Sequence, residues 1–333
     1  MLSTDEKSLE YAASLIRTGK VVGIPTETVY GLGANALDEK AVADIFKAKG
    51  RPQDNPLIVH ISDFSQLDSL VSDIPTLAKK CAESFWPGPL TMIMKKKSII
   101  PSVTSGGLDT VGIRMPSNKT ARRIIELSGV PIAAPSANLS GSPSPTTAKH
   151  VFNDMSGRIP AIVDGGMSAV GVESTVISFE EDAIRILRPG FISKEDLLEI
   201  TDNVIIDKGV VSQLDENTVV RSPGMKYRHY SPKADVTIID ADSGKFRSFI
   251  KANADKDTVF LVFSEDDTEG SDVKYIVYGD SSEKQAQNLF DALRRLDEMN
   301  AKKAYARCPE KSGVGLAVYN RLLRAAGFQV IKL

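Results

Sequence analysis

Scarcity bounds this chain first. One tryptophan and three histidines (His60, His150 and His229) stand among 333 residues, and the two cysteines, Cys81 and Cys308, lie far apart in apolar stretches. With no CxxC pair and no HxxxH spacing, a structural zinc site is not expected. Two separated cysteines make no disulfide framework, so buried, reduced thiols in a cytoplasmic protein are the expectation. No apolar run reaches the roughly 20 residues that a membrane span needs. The start Met1-Leu2-Ser3-Thr4-Asp5-Glu6 also lacks the basic residues of a signal peptide, which points away from membranes. Excess charge is missing too, since 41 Lys and Arg against 43 Asp and Glu leave a formal net charge of -2. Without a global positive field, any polyanion must be met by a local basic patch.

What is present describes a globular chain: 42% hydrophobic and 25% charged residues, with 24 glycines and 17 prolines. Short apolar or β-branched runs predict strands at Val21 to Thr26, Leu57 to Ile61, Leu90 to Met94, Val111 to Met115, Ile132 to Ala134, Ala161 to Val163, Thr175 to Phe179 and Ile184 to Leu187. Helical spacing predicts a first helix behind a Ser3-x-x-Glu6 capping box, then helices over Lys40 to Lys49, Thr76 to Phe85 and Thr120 to Leu127. A second capping box, Ser193-x-x-Asp196, marks the last helix of this unit near residue 200. A fresh series begins at Ala234: strands Val236 to Asp240, Val259 to Phe263, Tyr275 to Tyr278 and Ala304 to Arg307, and helices Ser282 to Met299 and Gly315 to Ala326. The expected architecture is α/β: a twisted mixed sheet with flanking helices over 1–200, a linker over 201–233, and a smaller Rossmann-like α/β domain over 234–333.

Two glycine patterns mislead. Gly31-Leu32-Gly33-Ala34-Asn35-Ala36 matches the dinucleotide fingerprint, but Pro25-Thr26-Glu27-Thr28-Val29-Tyr30 stands between the strand's apolar run and the glycines and no helix follows directly, so the glycines cannot place a helix N-terminus on a pyrophosphate. Gly166 to Gly171 mimics a phosphate loop, but Val172-Glu173 stands where Lys and Ser or Thr are needed. More informative is Lys49-Gly50-Arg51-Pro52-Gln53-Asp54-Asn55-Pro56, where turn-forming residues fix a backbone on which Lys49, Arg51 and Asn55 can converge on one anion. The run Ala134-Pro135-Ser136-Ala137-Asn138-Leu139-Ser140-Gly141-Ser142-Pro143-Ser144 leaves a strand end with hydroxyl and amide groups suited to phosphate oxygens, before Thr146 or Thr147 caps a helix. Ser174 and Arg188 add a hydroxyl and a guanidinium at neighbouring strand ends. His60, in an apolar strand, reads from its surroundings as a core histidine.

In this order, IPTETVYGLGANA (Ile24 to Ala36), Lys49-Gly50-Arg51 with RPQDNPLIVHI, VGIRMP (Val111 to Pro116), Ser136-Ala137-Asn138, STV (Ser174 to Val176), LRPG (Leu187 to Gly190) and SPGMKYRHYSP (Ser222 to Pro232) resemble the YrdC-like family in its two-domain form. The resemblance spans nearly the whole chain. It implies a nucleotidyltransferase that condenses L-threonine, bicarbonate or CO2 and ATP into L-threonylcarbamoyl-AMP and pyrophosphate, for threonylcarbamoylation of adenosine 37 in tRNA. It places threonine on Thr28, His60, Arg114, Ala134 and Ser174, and ATP on Arg51, Asn55, Thr110, Ser136, Ser144, Arg188 and Tyr230. The signature residues Lys49 and Asn138 fall beside the reacting groups, with Lys49 and Arg51 acting electrostatically and no side chain serving as nucleophile. Mg2+ is expected with ATP, and a downstream tRNA threonylcarbamoyl transfer machinery is the implied partner.

Two other readings compete with this one. A double-stranded RNA- or tRNA-binding module fits a concave basic surface, but the basic residues sit at strand ends and the net charge is not positive. The carbamoyl-adenylate chemistry of hydrogenase maturation goes with Cys-rich zinc fingers, which two cysteines cannot build. The aromatic and basic segment 221–232 is expected to act as a lid, because twelve residues reach up to roughly 40 Å.

Overall fold

The computed structural model describes residues 1–53, 55–210, 230–266 and 273–333. The chain divides into two compact units, one taking in Met1–Ser140 and the chain from Ser144, the other Gly141–Pro143 and the chain to Leu333. Most of the segment expected to form a lid falls on 211–229, outside the described residues.

Ten strands make the first unit's sheet: β1 (Val22–Ile24), β2 (Gly31–Asn35), β3 (Ile58–His60), β4 (Leu90–Lys95), β5 (Thr110–Arg114), β6 (Ile132–Ala133), β7 (Ala161–Ile162), β8 (Thr175–Phe179), β9 (Ile184–Arg188) and β10 (Val204–Ile206). They lie in the order β10-β9-β8-β4-β5-β3-β6-β2-β1-β7. The sheet is mixed, with parallel pairs such as β3 with β5 and antiparallel ones such as β4 with β5. Alternation along each strand decides which side chains reach the core. Leu90, Met92 and Met94 of β4 and Val111 and Ile113 of β5 join Ala78, Cys81 and Ala82 of the helix Thr76–Phe85 in one buried cluster. The other face is covered near β1 and β6 by the helices Glu6–Arg17 and Lys119–Ser128, through Leu9, Ala12, Ile16, Ile124 and Ile125. Over β3, β5, β4 and β8 that face carries His60, Arg114, Thr91 and, just before β8, Ser174.

Several expectations shift. Asp5, not Ser3, caps the first helix: its carboxylate accepts the Ser8 amide at 3.1 Å and also the Ser3 hydroxyl. The glycine-rich Gly31–Asn35 is a strand, which its composition hid. A Cβ at Gly31 would meet the Ala134 Cβ at 3.0 Å and one at Gly33 the Ile132 Cγ2 at 3.1 Å, so the glycines serve close packing inside the sheet. Val204–Ile206 pairs in parallel with β9, so the expected linker over 201–233 begins inside the first sheet. Three residues are too few to show an alternation. The Ser193 capping box is present as read, and Thr147 caps the helix Ala148–Met155.

The second unit is a parallel sheet of β11 (Asp235–Asp240), β12 (Thr258–Val262), β13 (Tyr275–Val277), β14 (Lys303–Arg307) and β15 (Val330–Lys332), ordered β13-β12-β14-β11-β15. The helices Ser282–Glu298 and Gly313–Ala325 are found as read, with Leu289, Leu293 and Leu296 buried. The helix Ser243–Asn253 and β15 were not anticipated; that helix buries little beyond Phe246 and Ile250, which leaves a weak periodic signal. Both cysteines are free: burial pushes the Cys81 thiol up to about 12 and the half-buried Cys308 up to about 11.

Candidate active site

The site is built where β3, β5, β4 and β8 turn their polar positions to one face. Register sets His60 beside Arg114 on the parallel pair β3 and β5, so an imidazole and a guanidinium project together. Arg114 is 3% exposed and donates through Nη1 to the Thr28 hydroxyl at 2.9 Å and through Nε to the Gly88 carbonyl at 3.3 Å. Its Nη2 lies 2.7 Å from Glu27 Oε1, a charge contact whose N–H direction is not aligned with the carboxylate. Glu27 also accepts the Ser117 amide at 3.0 Å. Burial alone would raise the Glu27 carboxyl, but Arg114 and these amides outweigh it and hold it below its usual range.

His60 has a buried Nδ1 with no hydrogen-bond partner. Burial, and then the neighbouring Arg114 charge, push the imidazole down to about 3. A neutral ring at physiological pH can exchange hydrogen bonds with a substrate without repelling Arg114. The core reading of its strand is thus half right: His60 is buried, but its polar atom is not satisfied by the protein, and an unpaired buried group invites a ligand.

Across β4, the Thr91 and Ser174 hydroxyls share a hydrogen bond of 2.7 Å. Arg188 closes this side, its Nη2 donating to the Ser174 carbonyl at 3.0 Å and hydroxyl at 3.1 Å. Ala134 adjoins the same strands through its amide, which donates to the Ile58 carbonyl at 3.0 Å.

A second cluster gathers at the C-terminus of the helix Glu39–Lys49, which ends at Gly50 in the left-handed region with φ 63°. A glycine reverses the chain there without the Cβ penalty and sends Arg51 onward. Lys49 turns inward, and its Nζ donates to the Ser136 carbonyl, to the Asn138 carbonyl at 2.9 Å and to Asn138 Oδ1 at 3.3 Å. The Ser136 hydroxyl donates to the same Oδ1 at 2.6 Å, so the two signatures, Lys49 to Arg51 and Ser136 to Asn138, form one network. Burial first, and the Arg51 charge second, pull the Lys49 ammonium down to about 7, with the Asp154 and Glu173 charges acting the other way. Ser144, fully buried, donates to Glu173 Oε1 at 2.6 Å.

Other expected site residues stand further out. Ile58 pairs with Gly112, which sets Thr110 opposite Pro56, next to Asn55 and at the other end of β5 from Arg114. Four residues of strand separate Thr110 from Arg114 by about 13 Å, a span for an extended ligand rather than an amino acid alone. Tyr230 belongs to the second unit, where its ring packs at a tilt against Phe290 with centroids 5.1 Å apart. Glu27, Thr91 and Glu173 were not singled out from the sequence. A lone threonine at the alternate position of Leu90-Thr91-Met92 was the available signal for Thr91; Glu27 and Glu173 sat inside motifs already noted, without a visible partner.

Among the described residues, no three His, Cys, Asp or Glu side chains gather as a metal cluster, and no helix is long and apolar enough to cross a membrane. A family model for Sua5/YciO/YrdC proteins, described as telomere recombination, matches residues 14–190, and one described as the threonylcarbamoyl-AMP synthase C-terminal domain matches 192–327. A threonylcarbamoyl-AMP synthase of Pyrococcus abyssi is 46% identical over 333 residues, covering 99% of this chain and 97% of the relative. One from Bacillus subtilis is also 46% identical, covering 99% and 96%. The crystal structure of P. abyssi Sua5 complexed with L-threonine matches with a TM-score of 0.92 at 45% identity, covering 99% of this chain and 97% of that one.

Proposed function

Because the chain belongs to the Sua5/YciO/YrdC family, we propose that it is an L-threonylcarbamoyl-AMP synthase acting on L-threonine, bicarbonate or CO2, and ATP. The observation that carries this reading is the polar sheet face itself. Arg114, Thr28 and the unsatisfied His60 form one end suited to an amino acid, and the network of Lys49, Ser136 and Asn138 with Arg51 beyond it suits a triphosphate.

The reaction asks for positioning and charge compensation more than for a nucleophilic side chain. The threonine amine adds to CO2 to give a carbamate, and a carbamate oxygen attacks the α-phosphorus as pyrophosphate leaves. Arg114 holds the threonine carboxylate with a guanidinium that Glu27 and Gly88 already orient. Neutral His60 meets the amino acid at Nδ1, with Ala134 and Ser174 lining the same end. Lys49 and Arg51 face the charge that moves onto the pyrophosphate, while Asn55, Thr110, Ser136, Ser144 and Arg188 take the rest of ATP. Tyr230 is retained as an ATP contact on the resemblance alone. Mg2+ enters with ATP as substrate, held by phosphate oxygens and water. The product is a mixed anhydride, so a tRNA threonylcarbamoyl transfer machinery in the cytoplasm must take it up, with direct tRNA binding by this chain as an extension of the same reading.

One assay tests it: ATP consumption by the full chain with threonine and bicarbonate supplied together and singly, with the product identified by mass. The expected result is pyrophosphate and threonylcarbamoyl-AMP only when both are present. ATP turnover indifferent to threonine would remove the assignment.

A further inference from the structure

Thr91 stands at the middle of the amino-acid end of the site, beneath the residues assigned to threonine. Met92 of β4 pairs with Ile113 of β5, which sets Thr91 across from Arg114. On its other side Thr91 pairs with Val176 of β8, two residues after Ser174. Alternation turns Arg114, Thr91 and Ser174 to one face of the sheet. Thr91 is 0% exposed, so it touches no substrate itself. Its methyl group is seated over Gly112, where a Cβ would lie 3.0 Å from Thr91 Cγ2. That glycine leaves the space in which a stiff, β-branched side chain keeps its hydroxyl turned to Ser174.

Counting protons fixes the direction of the hydrogen bond between the two hydroxyls. A hydroxyl has one proton and two lone pairs, and a guanidinium only donates. Arg188 Nη2 therefore donates to Ser174 Oγ at 3.1 Å. The Thr91 and Ser174 oxygens are 2.7 Å apart, and among the described residues Thr91 Oγ1 has no other partner. Were Ser174 the donor, the Thr91 proton would be buried without an acceptor, which is the costlier arrangement. Thr91 donates instead. Both lone pairs of Ser174 Oγ are then engaged, and its own proton has no acceptor among the described residues.

We propose that Thr91 is a positioning residue for threonine: it locks the Ser174 hydroxyl as a pure donor, which presents its proton to an oxygen of the amino acid and has no lone pair left for the ammonium. The inference rests on the synthase reading above and adds to it a residue that acts only through Ser174.

Steady-state kinetics of the full chain, with threonine and ATP varied in turn, test it. Thr91→Val keeps the shape and removes the hydroxyl, and it is expected to raise the threonine KM about fivefold while the ATP KM moves less than about twofold. Thr91→Ser keeps the hydroxyl and is expected to stay within about twofold of the parent for both substrates. In a Ser174→Ala background Thr91→Val is expected to add nothing, because the hydroxyl through which it acts is gone. Thr91→Ala carries the same test where the valine variant fails to fold, with thermal unfolding separating stability from KM. An unchanged threonine KM in Thr91→Val, an equal rise for both substrates, a loss in Thr91→Ser as large as in Thr91→Val, or a full effect on top of Ser174→Ala overturns the proposal. A parent chain without threonine-dependent turnover removes the synthase reading itself, and this inference with it.

Discussion

A buried lysine and an exposed one show how differently the two units are charged. Lys49 of the first unit has only carbonyl and amide oxygens at its ammonium and is pulled down to about 7 by burial and by Arg51. Lys311 of the second unit bonds Asp240, and that hydrogen bond raises it above its usual value. The first arrangement is electrostatically unfinished: the ammonium is hydrogen-bonded only to neutral oxygens, and the Asp154 and Glu173 charges that favour it are outweighed by burial and Arg51, which leaves room for an incoming anion. The second is complete, with carboxylates to spare. A chain with nearly balanced total charge thus holds two differently charged regions, which net charge alone could not reveal.

The comparison breaks most sharply at Arg51. Arg51→Ala should weaken ATP binding by roughly 1.5–3 kcal/mol, the range for a hydrogen bond to a charged group, while Lys311→Met should leave ATP affinity unchanged. Titration of both variants with ATP measures the difference. Equal effects would mean that ATP affinity follows overall charge and that the two units do not differ as described.

His60 tests whether the threonine end stays neutral. Its imidazole is held down to about 3 in the folded chain, against 6.5 in the unfolded one. Between those values the unfolded state binds more protons, so stability rises with pH, is complete above about 6.5, and is lost as pH falls. At about 1.4 kcal/mol per unit, moving from pH 7 to pH 5 should cost about 2 kcal/mol through this residue, provided the folded value stays below 5. Urea unfolding of the parent and of His60→Gln at both pH values isolates that share, because other titrating groups cancel. An identical pH dependence in the two proteins would show that His60 takes up protons equally in the folded and unfolded chains, so that burial does not hold it neutral.

Much of this was legible beforehand where residue types carry their chemistry in a short stretch. Lys49 with Arg51 and Ser136 with Asn138 were readable because glycine, proline and asparagine fix the backbone around them. The strands Leu90–Lys95 and Thr175–Phe179 were readable because a short apolar or β-branched run is visible within a single-strand window. β2 was not, because Gly31 and Gly33 are chosen for contact with Ala134 and Ile132, which lie about a hundred residues on. Glu27 was missed for the same reason: its meaning comes from Arg114, brought to it by the pairing of β3 with β5 and by the Ser117 amide. His60 was read as core, and burial bears that out; only the three-dimensional neighbourhood shows that its Nδ1 lacks a partner.

A smaller effect sharpens the division within the first site. Arg114→Lys should raise the threonine requirement about tenfold and the ATP requirement far less, because an ammonium cannot reproduce the fork that spans Thr28, Gly88 and Glu27. Steady-state kinetics with each substrate varied in turn separates the two. A matched rise in both would place Arg114 between the substrates instead of at the amino acid.

The smallest expected signal returns to Lys49. With a value of about 7 in the unliganded chain, about nine-tenths of the Lys49 side chains are neutral at pH 8. A triphosphate beside the amine favours the ammonium and raises that value, so ATP binding at pH 8 must draw a proton from solvent. Linkage then fixes the sign: affinity falls as pH climbs above 7 and levels off where the bound form also loses its proton. Calorimetry of ATP binding in two buffers of different ionisation enthalpy reads the uptake directly, and a value between about half a proton and one is expected at pH 8. Lys49→Arg keeps the charge at every accessible pH, so in that variant the uptake should vanish even where ATP still binds. Equal uptake in parent and variant would mean that the three oxygen contacts at Nζ outweigh burial and keep Lys49 charged in the empty site. The contrast with Lys311 would then rest on the carboxylates of the second unit alone.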